Sequence, residues 1–562
     1  MPDQQETRTD SIDARSVGRQ RYSPSRWVIA TALLVLAGGI VALLYPVLAS
    51  PVGADDRYWY LDVPGQTGGS YVEATTWTFG DVLSDARSGR VAPLAFLLRR
   101  FIALTVTNTA VATSTPIVAV QAVMKLVLLS LVVFTCMAFL RSLRWRSSQG
   151  SLVTLSRRTI LVTTVTTAVI LAIGAQAHDQ FRNGWTSYTP LTYTAVIVIL
   201  GSLSLILSLT RRAASGKIGW KVTSVGLAAV IGLALNISYE LFYVAAPLVV
   251  LTLLLQPIHV DARIGRRAKV IVGGTFVSVF TAIFVALRVW LTNLCSSGDC
   301  YPSAQADLNG AVVTTFLRNL ATAVPGGARN ELRADLARLG WEDKMPGLFA
   351  PIPLLISGVV AAGLLFAWWL FVGPGKRSGG AEADQDETRR ESSLLVAAAI
   401  VPFAAALGTA LVMALSSSSH EFIVSVGSTY RNTMATWALL ALTGAMLVRA
   451  ATLRWTARQS TALLVGVAVA VTAVGGHVLT ANLAALRANR AYPSNVVTEA
   501  IQWEVVLGDP SDTGDKRRCA LLEALAPFTS AGTRSKIAMG ADASFELYHG
   551  TRLCSTGIPD LS

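Results

Sequence analysis

Asp55 and Asp56 stand side by side in "SPVGADDRYWYLDV" (50–63), directly after a long apolar run and beside Arg57 and three aromatic rings. A carboxylate held at such a boundary can take the proton of an attacking hydroxyl, and a neighbouring guanidinium can hold a phosphate through paired hydrogen bonds. Consecutive residues point in different directions, so one of the two, not both, would serve as the base. The alternative is local: either aspartate caps a helix that starts at Arg57.

Other polar side chains recur where apolar runs end. "NISYELF" places Asn236, Tyr239 and Glu240 between two such runs. A carboxylate at the edge of hydrocarbon is a functional candidate by default, with a helix-to-helix hydrogen bond as its plainer role. Arg288 in "VALRVWL" is placed either to bind a phosphate or to snorkel to the interface. "AHDQFRNGWTSYTP" carries His178, Asp179, Arg182 and Trp185, and "SSSSHEFIVSVGSTYRN" carries His420, Glu421, Tyr430 and Arg431. These types suit sugars and phosphates, with aromatic faces for pyranose rings and guanidiniums for anions. Asp55, Asp56, His178 and Asp179 could share a divalent cation, although no ligand spacing demands one. The chain has no P-loop, no GxGxxG before a helix and no GxSxG, which argues against chemistry driven by cytosolic nucleotide.

The elements that position these residues must be membrane helices. Of 562 residues 52% are hydrophobic and 14% charged, and the mean hydropathy is +0.51. That composition predicts an all-α polytopic membrane protein. Eleven apolar runs are long enough to read as spans: 27–49, 117–140, 159–176, 191–209, 222–237, 241–255, 270–291, 350–372, 394–415, 434–448 and 463–479. The first is too long for a signal-peptide core and reads as a retained anchor, with "VLAS" as a weak cleavage alternative.

The formal charge of +13 lies scattered in alternate loops, which the positive-inside bias turns towards the cytoplasm; nucleic acid is not the expected partner. The amino terminus then lies inside and the carboxy terminus outside. Cys295 with Cys300, and Cys519 with Cys554, fall on the oxidising side and predict two disulfides, while Cys136 reads as a buried apolar residue. The expected division is a cytoplasmic tail (1–26), a multi-span domain (27–488) with outer loops at 50–116 and 292–349, and a small outer domain (489–562). Within the first outer loop, "APLAFLLRRFIALTVTNT" holds Arg99 and Arg100 in mid-run, so it is expected to lie in the interface and not to cross.

One span, a carboxylate pair, juxtamembrane helices and a second span make a layout that resembles the GT-C type membrane glycosyltransferases, with "ADDRYWY" in the place of their first-loop acidic pair. "SGRVAPLAFLLRR" also looks like the Gly-Arg-x-x-Pro segment of bacterial proteins similar to phage-type O-antigen glucosyltransferases. The resemblance covers the first loop and the general topology. It implies transfer of a sugar from a polyprenyl-phosphate donor to a cell-envelope glycan or glycolipid, outside the bacterial cytoplasmic membrane. Asp55 or Asp56 would be the general base. Arg57, Arg182, Glu240, Arg288, His420, Tyr430 and Arg431 are the candidates for binding donor phosphate or sugar, and some relatives of this type carry a divalent cation. A transporter or flippase for a lipid-linked sugar, or a non-catalytic envelope scaffold, fits the same composition.

Overall fold

The computed structural model describes residues 26–53, 56–146, 150–179, 183–297, 300, 307–326, 329–372, 382–425, 428 and 430–555. The first half contains α1 (Arg26–Leu48), α2 (Asp56–Thr67), α3 (Tyr71–Gly80), α4 (Val82–Arg87), α5 (Pro93–Thr113), α6 (Ile117–Ser142), α7 (Arg157–Ile173), α8 (Thr189–Ala214), α9 (Ile218–Asn236), α10 (Ala245–Leu255) and α11 (Ala262–Leu294). The second contains α12 (Ala311–Ala323), α13 (Arg329–Ala337), α14 (Pro351–Val372), α15 (Glu382–Ala414), α16 (Ser417–Phe422), α17 (Thr433–Arg454), α18 (Ala457–Ala491), α19 (Pro493–Leu507), α20 (Asp512–Ala524) and α21 (Ala531–His549). Strands β1 (Arg144–Arg146) and β2 (Leu152–Thr154) pair antiparallel in one small hairpin.

Among the described residues ten helices are long and apolar enough to cross a membrane, as a multi-pass protein requires. They are α1, α5, α6, α8, α9, α11, α14, α15, α17 and α18, each over most of its length. Two expected spans come out short: α7 has 17 residues, and Glu240–Leu255 forms a 3-10 turn running into α10. Several helices begin before their apolar runs, at residues whose side-chain oxygens supply the acceptors that first-turn amides lack. Asp261 caps α11, Ser156 caps α7, and Thr456 with Gln459 forms a capping box on α18.

Length and composition alone put α5 among these ten, although its Leu94 amide meets Ile237 O and its Asn108 meets Tyr548, both on the expected outer side; its two arginines find their partners in the neighbouring helices. Arg99 and Arg100 are both buried. Arg99 lies 3.3 Å from the centre of the Trp59 ring, and Arg100 lies 3.6 Å from that of Trp77. Arg100 also donates to Thr78 Oγ1 at 2.8 Å and approaches Asp81 at 3.5 Å. The charges that looked stranded along α5 are taken up by α2 and α3.

One apolar core fills the helix bundle, and a second, smaller one lies among α19, α20 and α21 with Leu61 of α2 inside it. The segment after Asn489 thus shares its core with α2. A Cβ on Gly65 would come 2.5 Å from that of Ala543, and one on Gly540 would come 2.8 Å from Asp62 Cα, so α2 and α21 meet backbone to backbone. Ser544 Oγ donates to Leu61 O, Gln502 Nε2 to Arg57 O at 3.2 Å, and Tyr548 Oη to Asn108 Oδ1 at 2.6 Å. The disulfides Cys295–Cys300 and Cys519–Cys554 both form, and Cys136 is buried and free. Gly540→Leu should destabilise the protein by about 1–3 kcal/mol through overpacking. A lowered thermal midpoint in detergent, with protease cleavage newly admitted after residue 489, checks this.

Candidate functional site

The end of α9 crosses α11 closely, because Gly232 offers only hydrogen where a Cβ would stand 3.0 Å from Phe276 O. Asn236 fixes the crossing, donating from Nδ2 to Gly232 O at 2.9 Å and to Phe280 O at 3.0 Å. The chain then turns through Tyr239 into the 3-10 helix Glu240–Val244. The amide of Leu94 donates to Ile237 O at 3.1 Å, which ties the start of α5 to this turn. That tie brings Arg90 Nε to 3.9 Å from Glu240 Oε1.

Around the turn lies a cavity of about 440 Å³. Its apolar wall comes from α11 and the end of α15, through Phe280, Phe284, Leu287 and Met413. Its polar wall holds Arg90, Glu240, Arg288, Tyr430 and Arg431. Three guanidiniums against one carboxylate leave two positive charges in excess. Each arginine is backed by a ring: Arg90 lies 5.9 Å from the centre of Phe96, Arg288 lies 5.4 Å from that of Phe284, and Arg431 lies 4.3 Å from that of Tyr188, whose hydroxyl accepts from Arg431 at 3.3 Å. Gly184 lets the 430–431 backbone approach closely, its own amide donating to Tyr430 O at 3.3 Å.

Tyr239 also lines the cavity, yet it is 1% exposed, and its hydroxyl finds no hydrogen-bond partner among the described residues. Burial raises the pKa of this phenol above its usual value, so it stays protonated and available as a donor. A hydroxyl buried in this way costs about 1–3 kcal/mol.

Four expected residues thus converge: Glu240, Arg288, Tyr430 and Arg431. His420 stands one layer behind, donating from Nε2 to Ala414 O at 2.8 Å, and so holds the end of α15 that shapes the apolar wall. Arg90 is the residue that reading the sequence missed. It is the arginine of the Gly-Arg-x-x-Pro segment, but nothing local ties it to Glu240.

Asp56 is not on the cavity wall. It begins α2, is 1% exposed, and lies within electrostatic reach of the fully buried Lys125, whose ammonium donates to Val47 O at 3.2 Å. Arg57 contributes its carbonyl to Gln502. Asp55 and Arg182 lie outside the described residues. His178 and Asp179 are buried, with the Asp179 amide donating to Asp335 Oδ2 at 3.0 Å, and burial pushes the His178 pKa down to about 3. Among the described residues no three His, Cys, Asp or Glu side chains gather as a cation site would need.

Lys125→Met removes the cation beside the buried Asp56 carboxylate and should cost about 3–5 kcal/mol. The double variant Lys125→Met/Asp56→Asn should recover much of that loss, which thermal unfolding of the two proteins in detergent would show. Comparison with protein-family profiles, with curated proteins and with solved structures returns no match, so the functional reading rests on the cavity itself.

Proposed function

We propose that this chain is a glycosyltransferase that acts at the extracytoplasmic face of a bacterial cytoplasmic membrane. It would move a sugar from a polyprenyl-phosphate donor to a cell-envelope glycan or glycolipid. The observation that carries this reading is the cavity's division into an apolar wall on membrane helices and a polar wall of three arginines and one carboxylate. A lipid-linked phosphate has the same two-part chemistry. The sidedness rests on the loop charges and on the two disulfides, which belong in an oxidising compartment.

The reaction follows from the charges. The acceptor hydroxyl attacks the anomeric carbon and gives its proton to a base as the new C–O bond forms. The bond from that carbon to the phosphate oxygen breaks, and the oxygen keeps the electron pair. The donor phosphodiester bears one negative charge and the departing polyprenyl phosphate bears two, so the cavity's excess of two positive charges favours the transition state over the bound donor. Arg288 and Arg431 hold the phosphate, and Tyr430 offers its ring face to the sugar. Glu240 is the carboxylate on the wall, and we assign the base to it in preference to Asp56, which is engaged beside Lys125.

Purified protein given labelled sugar on a panel of polyprenyl-phosphate donors should transfer the label. Glu240→Gln should lose about 10²- to 10⁴-fold in rate, and Asp56→Asn should keep transfer in whatever fraction stays folded. Undiminished transfer by Glu240→Gln would sink the base assignment. Label that crosses liposomes with no acceptor modified would instead favour a flippase, and silence in both assays a scaffold.

A further inference from the structure

Two residues of the cavity wall carry buried polar atoms that differ in kind from the arginines. The Tyr239 hydroxyl is unpartnered among the described residues, and so is Asn236 Oδ1. Both residues line the cavity, Tyr239 at 1% exposed and Asn236 at 0%. The Asn236 amide cannot turn to suit a ligand, because both of its N–H groups are committed to Gly232 O and Phe280 O. Its oxygen is therefore a fixed acceptor. The Tyr239 ring is held edge-on by Phe242 at 6.2 Å and 89°, so its hydroxyl too has a set position. Arg431, Glu240 and Arg90 all act electrostatically on that hydroxyl, which places it inside the charged set and not behind it.

We infer that Tyr239 and Asn236 form a sugar-reading subsite, separate from the arginines that hold the phosphate. This rests on the proposed function. The argument is one of donors and acceptors. A phosphodiester offers oxygen acceptors alone, which arginines satisfy but Asn236 Oδ1 cannot use. A pyranose ring carries hydroxyls that both donate and accept, and so can give a hydrogen to Asn236 Oδ1 while accepting one from Tyr239. Recognition through buried polar groups discriminates sharply, since a ligand lacking the matching group leaves them unpaired. The Tyr239 hydroxyl supports no other side chain among the described residues, so a phenylalanine there removes the reading group and nothing else.

The test is direct binding by the full chain in nanodiscs. The probes are bare undecaprenyl phosphate and undecaprenyl-phosphoryl glucose, galactose and mannose. Tyr239→Phe should weaken the best-bound glycosylated lipid roughly tenfold, leave bare undecaprenyl phosphate unchanged, and not lower the thermal midpoint. Equal weakening of bare and glycosylated lipid would overturn the inference by placing the hydroxyl on the phosphate. No weakening of any glycosylated lipid would overturn it by making the hydroxyl mere wall. If the unmodified protein binds neither kind of lipid, the glycosyltransferase reading falls first and this subsite falls with it. Sugar transfer that depends on Glu240 but ignores Tyr239→Phe sinks the subsite alone.

Discussion

A charge surrounded by hydrocarbon has no water to turn to, so in this fold the protein itself must meet it. The helices are arranged around that requirement. Arg99 and Arg100 lie on the faces of Trp59 and Trp77, Arg449 donates twice to Thr159, and the Lys125 ammonium sits against Val47 O near Asp56. In each case the partner comes from another helix or from the far side of a loop. The contacts that receive these charges therefore also tie helices to one another. α2 and α3 are held over α5 by the same arginines that would otherwise bar α5 from an apolar environment.

The cavity matters because its walls follow the opposite logic. Its three guanidiniums outnumber the one carboxylate among them, and Tyr239 and Asn236 carry atoms with no protein partner among the described residues. Here the polar groups stand beside an apolar wall, with positive charge in excess. An anion with a lipid tail would restore the balance on both counts. The fold's own stability is better served without such a wall, which is why function is the economical explanation for it.

How much of this the sequence disclosed depended on whether the cause was local. Apolar runs became helices because composition alone decides that within hydrocarbon, whereas the polar starts capped by Asp261 and Thr456 carry α11 and α18 several residues beyond those runs. Both disulfides followed from the compartment that the charges implied. Glu240, Arg288, Tyr430 and Arg431 were legible as chemistry-bearing types at span ends, although their meeting in one cavity was not. Arg90 was not among the candidate binding residues because Glu240 gives it its meaning, across the four expected spans between 117 and 237. Asp56 drew attention as a bare carboxylate because Lys125 reads, in sequence, as part of an apolar run; only the packing of α6 against the start of α2 joins them. The arginines of α5 were legible, but not the rings of α2 and α3 that receive them.

The docking of α2 against α21 also sets a schedule for biosynthesis. Leu61 and Ser544 are joined across 483 residues of chain. At a synthesis rate of roughly 5–20 residues per second, α2 waits on the order of half a minute or more after it emerges before α21 exists to cover it. During that interval Leu61, Gly65 and the open backbone of α2 are exposed to whatever lies nearby, and the Cys519–Cys554 bond has not been made. α21 thus closes over α2 late in synthesis. Its assembly should lean on a holding factor or on early association of α2 with the membrane surface, and late truncations should harm the first loop as much as the tail they remove.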